Sequence, residues 1–355
     1  MRKLLKGNEA IVLGSLAAGC DACFGCPIVP ASEIMDLAAL YYLPLGKIFI
    51  QAESEAAAIS MLYGGSASGL RVFTASSGSG ISLMQDGISC AAGAELPMVL
   101  VDVMRAGPGA GNCGAEQSGY FQAVKGGGQG SYHLIVLVPN SVQEIYQMSI
   151  DAFDLADRYR IPVLILLDAD LARMAEPVEI NEEIAAKKIE KPWKLDTDPG
   201  SNEIWITTVC PDFDEMENHL LRLEEKYREI ADHEAKADLY RTDDAEILLS
   251  GYGITSRILR SAVDLLRTRG IRAGLIRPKT VWPFPEKDFQ NILERLGKDL
   301  PVLAVEMSSG QYAEDVKRSI PGANVSFLAR RGGNLPTEEE IMEKVQKILN
   351  RELSE

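Results

Sequence analysis

The 355 residues include 46% hydrophobic and 25% charged side chains, an ordinary globular composition with enough chain for two cores of common size. A formal net charge of −15 disfavours nucleic acid and anionic membrane as partners and suits a positively charged protein. No segment approaches the roughly 20 apolar residues of a bilayer span, and the apolar run near the start is broken by Gly14 and Ser15, so the expectation is a cytoplasmic protein with no membrane contact and no secretory leader.

In chain order, KIFIQ (47–51), RVFTA (71–75), MVLVDV (98–103), LIVLV (134–138) and PVLILL (162–167) read as strands. Their uninterrupted apolar character fits a parallel sheet covered on both faces. Helix-length stretches at 54–68, 80–92 and 142–158 separate them, and this alternation predicts a doubly wound α/β domain. Residues from about 172 to 203 become charged, with Pro and Gly near the end, and read as a linker. Residues 213–237 have the apolar spacing of one long amphipathic helix. A second α/β unit follows, with strands predicted at 246–250, 271–276, 301–306 and 325–329, and helices at 254–269, 312–319 and 337–349. The expected division is 1–175, 176–240 and 241–355.

Three segments have the composition of a binding site. In ESEAAAISMLYGGSASG, Glu55 opens an Ala-rich helix, with Gly64 and Gly69 following it. Such a glutamate is either a functional carboxyl or a solvated first-turn residue stabilised by the helix dipole. In TASSGSGISLMQDGI (74–88), a Gly-rich turn joins a strand to a helix and offers free N–H groups to an anion or a ring nitrogen. It is neither a P-loop nor a G-x-G-x-x-G turn. In VMRAGPGAGNCG (103–114), Arg105 follows a strand. Ligands of doubly wound sheets bind beyond such strand ends, where an arginine either grips a carboxylate in bidentate fashion or pairs with a local acid.

Taken together, GCPIVPASEI (25–34), ESEAAAI (53–59), TASSGSGISLMQDGI and ELPMVLVDVMRAGPGAGN (95–112) resemble the pyrimidine domain of 2-oxoacid:ferredoxin oxidoreductases. RPKTVWPFPEKDF (277–289) and VEMSSGQYAEDV (305–316) resemble the second domain of the same subunits, so the resemblance covers nearly the whole chain. Within the family, VMRAGPGAGN looks most like the 3-methyl-2-oxobutanoate (2-ketoisovalerate) type. The resemblance implies a pyrimidine-type thiamin-diphosphate-binding α/β sheet followed by a transketolase C-terminal-like α/β domain. It also implies oxidative decarboxylation of a branched-chain 2-oxoacid to its acyl-CoA, with coenzyme A as co-substrate and ferredoxin as acceptor. The same complex acting on 2-oxoglutarate or pyruvate remains open.

The resemblance assigns roles to single residues. Glu55 matches the catalytic glutamate that hydrogen-bonds ring nitrogen N1′ of the cofactor, and Gly64 favours it over Glu53. Carboxyl groups in apolar clefts hold a proton well enough for that task. Arg105 matches the arginine that holds the substrate carboxylate, and Ser76, Ser77 and Gly78 lie where the ring or substrate pocket is lined. Two departures stand out: Ser79 is found where proline is commoner, and Val29 replaces a threonine expected to donate to the substrate carboxylate. The loss of that bond costs on the order of 1–3 kcal/mol and leaves open a non-catalytic scaffold with a decayed pocket. There is no G-D-G followed by a spaced Asn. The diphosphate and Mg²⁺ site, and a [4Fe–4S] module, are therefore expected on a diphosphate-domain subunit and a ferredoxin-like iron–sulfur subunit, in a homodimer of heteromers.

Cys20, Cys23 and Cys26 have the C-x-x-C-x-x-C spacing of iron–sulfur ligands, with Cys113 as a conceivable fourth. Their other reading is as small residues lining a pocket. His133 reads as a partly buried structural histidine or a pocket cover, and His219 and His233 as solvated. Trp282 and Phe284 read as core or interface anchors. The turn formed by Arg330, Arg331, Gly332 and Gly333 is placed to meet a partner.

Overall fold

Val99, Val101 and Val103 face one side of their strand and Met98, Leu100 and Met104 the other, and both sets are buried in separate apolar clusters. Such a strand needs helices on both faces. The computed structural model supplies them and describes residues 1–180, 190–195 and 204–350.

The first half of the chain runs β1 (Arg2–Lys6), α1 (Gly7–Ala17), β2 (Ala22–Gly25), α2 (Ser32–Tyr42), β3 (Ile48–Gln51), α3 (Glu55–Ala67), β4 (Val72–Ser76), α4 (Ser79–Gly93), β5 (Met98–Met104), α5 (Tyr120–Lys125), β6 (Ile135–Leu137), α6 (Val142–Tyr159), β7 (Pro162–Asp168), α7 (Ala169–Arg173) and β8 (Ala175–Glu179). The second half runs α8 (Phe213–Glu234), β9 (Ala237–Tyr240), β10 (Ile247–Ser250), α9 (Gly253–Thr268), β11 (Ala273–Pro278), β12 (Thr280–Trp282), α10 (Glu286–Leu296), β13 (Val302–Glu306), α11 (Gln311–Ser319), β14 (Val325–Ala329) and α12 (Glu338–Leu349).

One sheet has the order β12-β6-β7-β5-β4-β2-β3 and the other β14-β13-β10-β11-β9. All neighbours are parallel except β12 on β6 and β9 on β11. A separate antiparallel pair joins β1 to β8. Apolar residues of α1, α2 and α6 cover one face of the first sheet. Those of α3 and α4 cover the other, in a cluster that continues onto the second sheet through α10 and α11. The outer face of the second sheet packs on α9 and α12. No helix among the described residues is long and apolar enough to cross a membrane.

Several elements differ from the sequence reading. No element is read at the N-terminus, yet residues Gly7–Ala17 form α1, and Gly14 and Ser15, which break the apolar run, lie inside it. Gly14 lets α1 meet α6 closely, since a methyl there would lie 2.6 Å from Cβ of Ser149. Ser15 donates to the carbonyl of Val12 and pairs with the Tyr42 hydroxyl at 2.8 Å, so its polarity is satisfied inside the core. The linker reading fails at 175–179, which form β8; its portions 181–189 and 196–203 lie outside the described residues. The strand β12 follows β11 in sequence yet joins the first sheet, so the two sheets exchange chain. Trp282 on that strand stacks on His133 at 4.5 Å, with Tyr227 of α8 edge-on to both.

Asp168 ties the two sheets at their carboxyl ends. One oxygen accepts from the Leu171 N–H (3.1 Å) in α7, and the other from the Ile254 N–H (2.8 Å) in α9. One carboxylate therefore satisfies an orphan donor at the start of each of two helices. Burial pushes its pKa up to about 6.

Candidate active site

Strands β5, β4, β2 and β3 are neighbours, and all end on the same edge of the first sheet. The segments that leave these ends carry the candidate residues. Glu55 is the first residue of α3, behind Ser54, whose hydroxyl accepts from the Ala57 N–H at 3.2 Å. The cap fixes the helix start, and Glu55 is only 8% exposed. Its carboxylate lies over the turn between β4 and α4: a methyl on Gly80 would sit 2.6 Å from Oε1 and collide with the Ser76 hydroxyl. Glycine at 80 is thus a requirement of this packing.

The turn itself is polar and incomplete. Ser76 and Ser77 are fully buried, and their hydroxyls, like that of Thr74 on the same strand, have no hydrogen-bond partner among the described residues. Nor does the Glu55 carboxylate receive a donor from any described residue. An unpaired buried polar group costs roughly 1–3 kcal/mol, and native structures rarely leave several together. The Ser76 hydroxyl and the Glu55 carboxylate face the same point beside Gly80, where a polar ligand could pair with both. An aminopyrimidine fits this donor and acceptor set, because its ring nitrogen suits Glu55 and its polar edge suits the hydroxyls.

Arg105 approaches the same turn from β5. Gly78, at φ +52°, leaves the space its guanidinium uses, since a methyl there would lie 3.0 Å from Nε. Nη1 donates to the carbonyl of Val29 at 2.8 Å, while Nε is buried without a partner. Glu55, Ser76, Ser77, Gly78, Arg105 and Val29 therefore gather on one strand-end cluster. The Val29 side chain, 50% exposed, offers methyls and no donor.

One group here escaped the sequence reading. Asp102 faces the α3–α4 side of β5, is 4% exposed, and has an unpartnered Oδ1. Burial raises its pKa to about 7. Its signal was present: one acid interrupts an otherwise apolar strand, and acids are almost never fully buried unless paired. Asp102 and Arg105 share the wall of a cavity of about 320 Å³ between the 78–82 turn, the Arg105 loop and α5. A larger cavity of about 650 Å³ between α4 and α8, walled by Cys90, Tyr132, Cys210 and His219, holds none of these groups. The unsatisfied chemistry, not the size of the space, marks the site.

Residues 13–236 match the family model described as pyruvate flavodoxin/ferredoxin oxidoreductase, thiamine diphosphate-binding, and residues 245–341 match pyruvate:ferredoxin oxidoreductase core domain II. The chain belongs to the 2-oxoacid:ferredoxin oxidoreductase family. Ketoisovalerate oxidoreductase subunit VorB of Methanothermobacter marburgensis is 48% identical over 98% of this chain and 97% of its own length. 2-Oxoglutarate synthase subunit KorA of the same organism is 34% identical over 96% of this chain and 97% of its own. The solved 2-oxoglutarate:ferredoxin oxidoreductase of Magnetococcus marinus, with 2-oxoglutarate, coenzyme A and succinyl-CoA bound, matches with a TM-score of 0.86 and 26% identity, covering 98% of this chain and 65% of that one.

Cys20 and Cys23 are fully buried in the core on the α1–α2 side, and burial pushes the Cys20 thiol up to about 12 and Cys23 well above its usual value. A thiol must ionise to bind metal. Cys26 is partly buried, and burial, together with the nearby charges of Glu55 and Glu53, raises its pKa. Cys113 is exposed on the Arg105 loop. Among the described residues no group of three or more His, Cys, Asp or Glu is arranged to hold a metal ion. His219 is not simply solvated: its Nε2 is 2.9 Å from the Gly93 carbonyl, tying α8 to the end of α4. His233 is exposed. Phe284 stacks on Phe289 at 5.4 Å in the core. The turn at 330–333 meets the chain's own Arg105 loop, with the Asn112 side chain donating to the Gly332 carbonyl at 3.2 Å.

Proposed function

We propose that this chain is the pyrimidine-side subunit of a thiamin-diphosphate-dependent complex that oxidatively decarboxylates 3-methyl-2-oxobutanoate to its acyl-CoA, with ferredoxin as electron acceptor. The observation that carries the reading is the set of buried polar groups on β4 and β5 that have no partner among the described residues, with Ser76 beside the Glu55 carboxylate at Gly80 and Arg105 against Gly78 of the same turn. The substrate assignment is supported by 48% identity to a subunit named for ketoisovalerate.

When bound, thiamin diphosphate supplies the carbanion chemistry and the electron sink that decarboxylation needs. In our reading Glu55 shares a proton with N1′ of the aminopyrimidine, and its burial excludes water from that contact. Ser76 and Ser77 hydrogen-bond the ring or the substrate. Arg105 grips the substrate carboxylate, with Val29 and Gly78 fixing its guanidinium on either side. Val29 gives that pocket methyl groups, which suits an apolar branched acid. Residues 1–175 carry these groups and 241–355 brace them. The diphosphate, its Mg²⁺ and a [4Fe–4S] module reside on partner subunits.

The test is turnover of the chain assembled with its partner subunits, assayed on 3-methyl-2-oxobutanoate, 2-oxoglutarate and pyruvate. Glu55→Gln is expected to lower kcat on the order of 10³-fold, within the usual range for a lost acid–base group. Undiminished turnover by that variant would leave a scaffold role instead, and a preference for 2-oxoglutarate would overturn the substrate assignment.

A further inference from the structure

The loop that carries Arg105 is closed at its base and clamped to the second sheet. Arg105 and Ala115 form an isolated antiparallel bridge, and the Ala106 N–H donates to the Gly114 carbonyl at 3.1 Å. The next residue, Glu116, is 5% exposed and accepts on both carboxylate oxygens. Oε2 takes the Gly107 N–H at 3.0 Å and the Ser118 hydroxyl at 3.1 Å, while Oε1 takes the Gly332 N–H at 3.0 Å. Gly107 belongs to the Arg105 loop and Gly332 to the turn after β14, so one side chain spans both.

Gln117 reinforces the clamp. The second sheet reverses strand order between β10 and β13, the kind of switch point where doubly wound sheets commonly hold ligands. Here Gln117 occupies it. Its backbone N–H donates to the Met307 carbonyl at 2.7 Å, its Oε1 accepts from the Met307 N–H at 3.0 Å, and its Nε2 donates to the Tyr252 carbonyl at 3.0 Å. The ends of β10, β13 and β14 thus anchor the loop base of an arginine that works on the other sheet.

We propose that Glu116 is a positioning residue for the reaction, setting where Arg105 meets the substrate carboxylate by locking its loop to the 330–334 turn. The inference rests on the reading of Arg105 as the carboxylate holder. A carboxylate is needed because three donors converge on it. Glutamine is almost isosteric but turns an NH₂ toward one of them.

The experiment compares Glu116→Gln, Arg105→Met and the double variant in the assembled complex. Glu116→Gln is expected to raise KM for the 2-oxoacid about tenfold, change kcat by less than about threefold and leave KM for coenzyme A unaltered, the pattern of lost substrate binding. In the Arg105→Met background it should add less than about twofold, because it acts through that arginine. Hydrogen exchange at the Gly107 and Gly332 amides should accelerate at least about tenfold, without a matching change in β5. An unchanged KM with Glu116→Gln, or an equal rise in both backgrounds, overturns the positioning role while leaving Arg105 in place. An Arg105→Met variant with unaltered KM overturns both. Should Glu116→Gln not fold, Asn112→Ala at the exposed far end of the clamp gives a second reading: an approximately threefold rise in the same KM supports the role, and no rise contradicts it.

Discussion

The two sheets are built alike and differ at their carboxyl edges. On the second sheet most of the buried polar groups at this edge are paired among the described residues, the Oε1 of Gln311 at the start of α11 being an exception. Glu306 accepts from the Tyr312 N–H at 3.1 Å, from the Ala313 N–H at 3.2 Å and from the Ser308 hydroxyl. Ser250 meets the Tyr312 hydroxyl at 2.5 Å, and Gln117 fills the crevice between β10 and β13. On the first sheet Thr74, Ser76, Ser77, Asp102 and the Nε of Arg105 are buried and unpaired. If the first edge is the proposed cofactor site, its polar groups serve a ligand while those of the second serve stability, so identical chemistry should respond differently to mutation.

The largest effect is expected where the contrast is removed from the stable side. Glu306→Ala would strand three buried donors and should cost roughly 3 kcal/mol or more of stability, read as a lowered denaturation midpoint. Ser76→Ala deletes an already unpaired hydroxyl, so its midpoint should stay level or rise while turnover falls. Equal destabilisation by the two variants would erase the distinction between the edges. Next in size, Arg105→Met should raise KM for the 2-oxoacid about 10²-fold, the scale of a lost charge-assisted pair.

The smaller effects sharpen the same comparison. Asp102 sits in the first edge with its pKa pushed up to about 7 by burial. A carboxyl raised in the folded state contributes stability that is complete below its unfolded pKa and is lost as pH rises through about 7. The stability of the wild type relative to Asp102→Asn should therefore fall between about pH 4 and 7, by at most about 1.4 kcal/mol per pH unit. A flat difference would mean that Asp102 is ionised throughout. The smallest change is Val29→Thr, which restores a donor beside Arg105 and should lower KM for the 2-oxoacid about fivefold, near 1 kcal/mol.

Much of the first sheet could be read from sequence because its strands are buried on both faces, leaving apolar runs such as MVLVDV and PVLILL whose short length and β-branched content separate them from helices. The helix α1 was hidden by Gly14 and Ser15, whose fitness for the core depends on Ser149 and Tyr42 far along the chain. Strand β12 was hidden because its partner β6 lies in the other half of the chain, across more than 140 residues. The cluster of Glu55, Ser76, Gly78 and Arg105 was legible through resemblance, each residue sitting in a local strand-end motif. The Glu116 clamp was not: neither Gly107 nor Gly332 advertises a carboxylate partner, and the contact exists only once the two sheets pack. Asp102 was visible as an acid in an apolar strand, but its role depends on the cavity it faces.

The most direct test is hydrogen–deuterium exchange at C2 of thiamin diphosphate in the assembled complex, followed without substrate or electron acceptor. If Glu55 completes the unsatisfied edge by bonding the aminopyrimidine, Glu55→Gln should slow that exchange at least about 10²-fold while cofactor remains bound. Equal exchange rates in the two proteins would contradict the account.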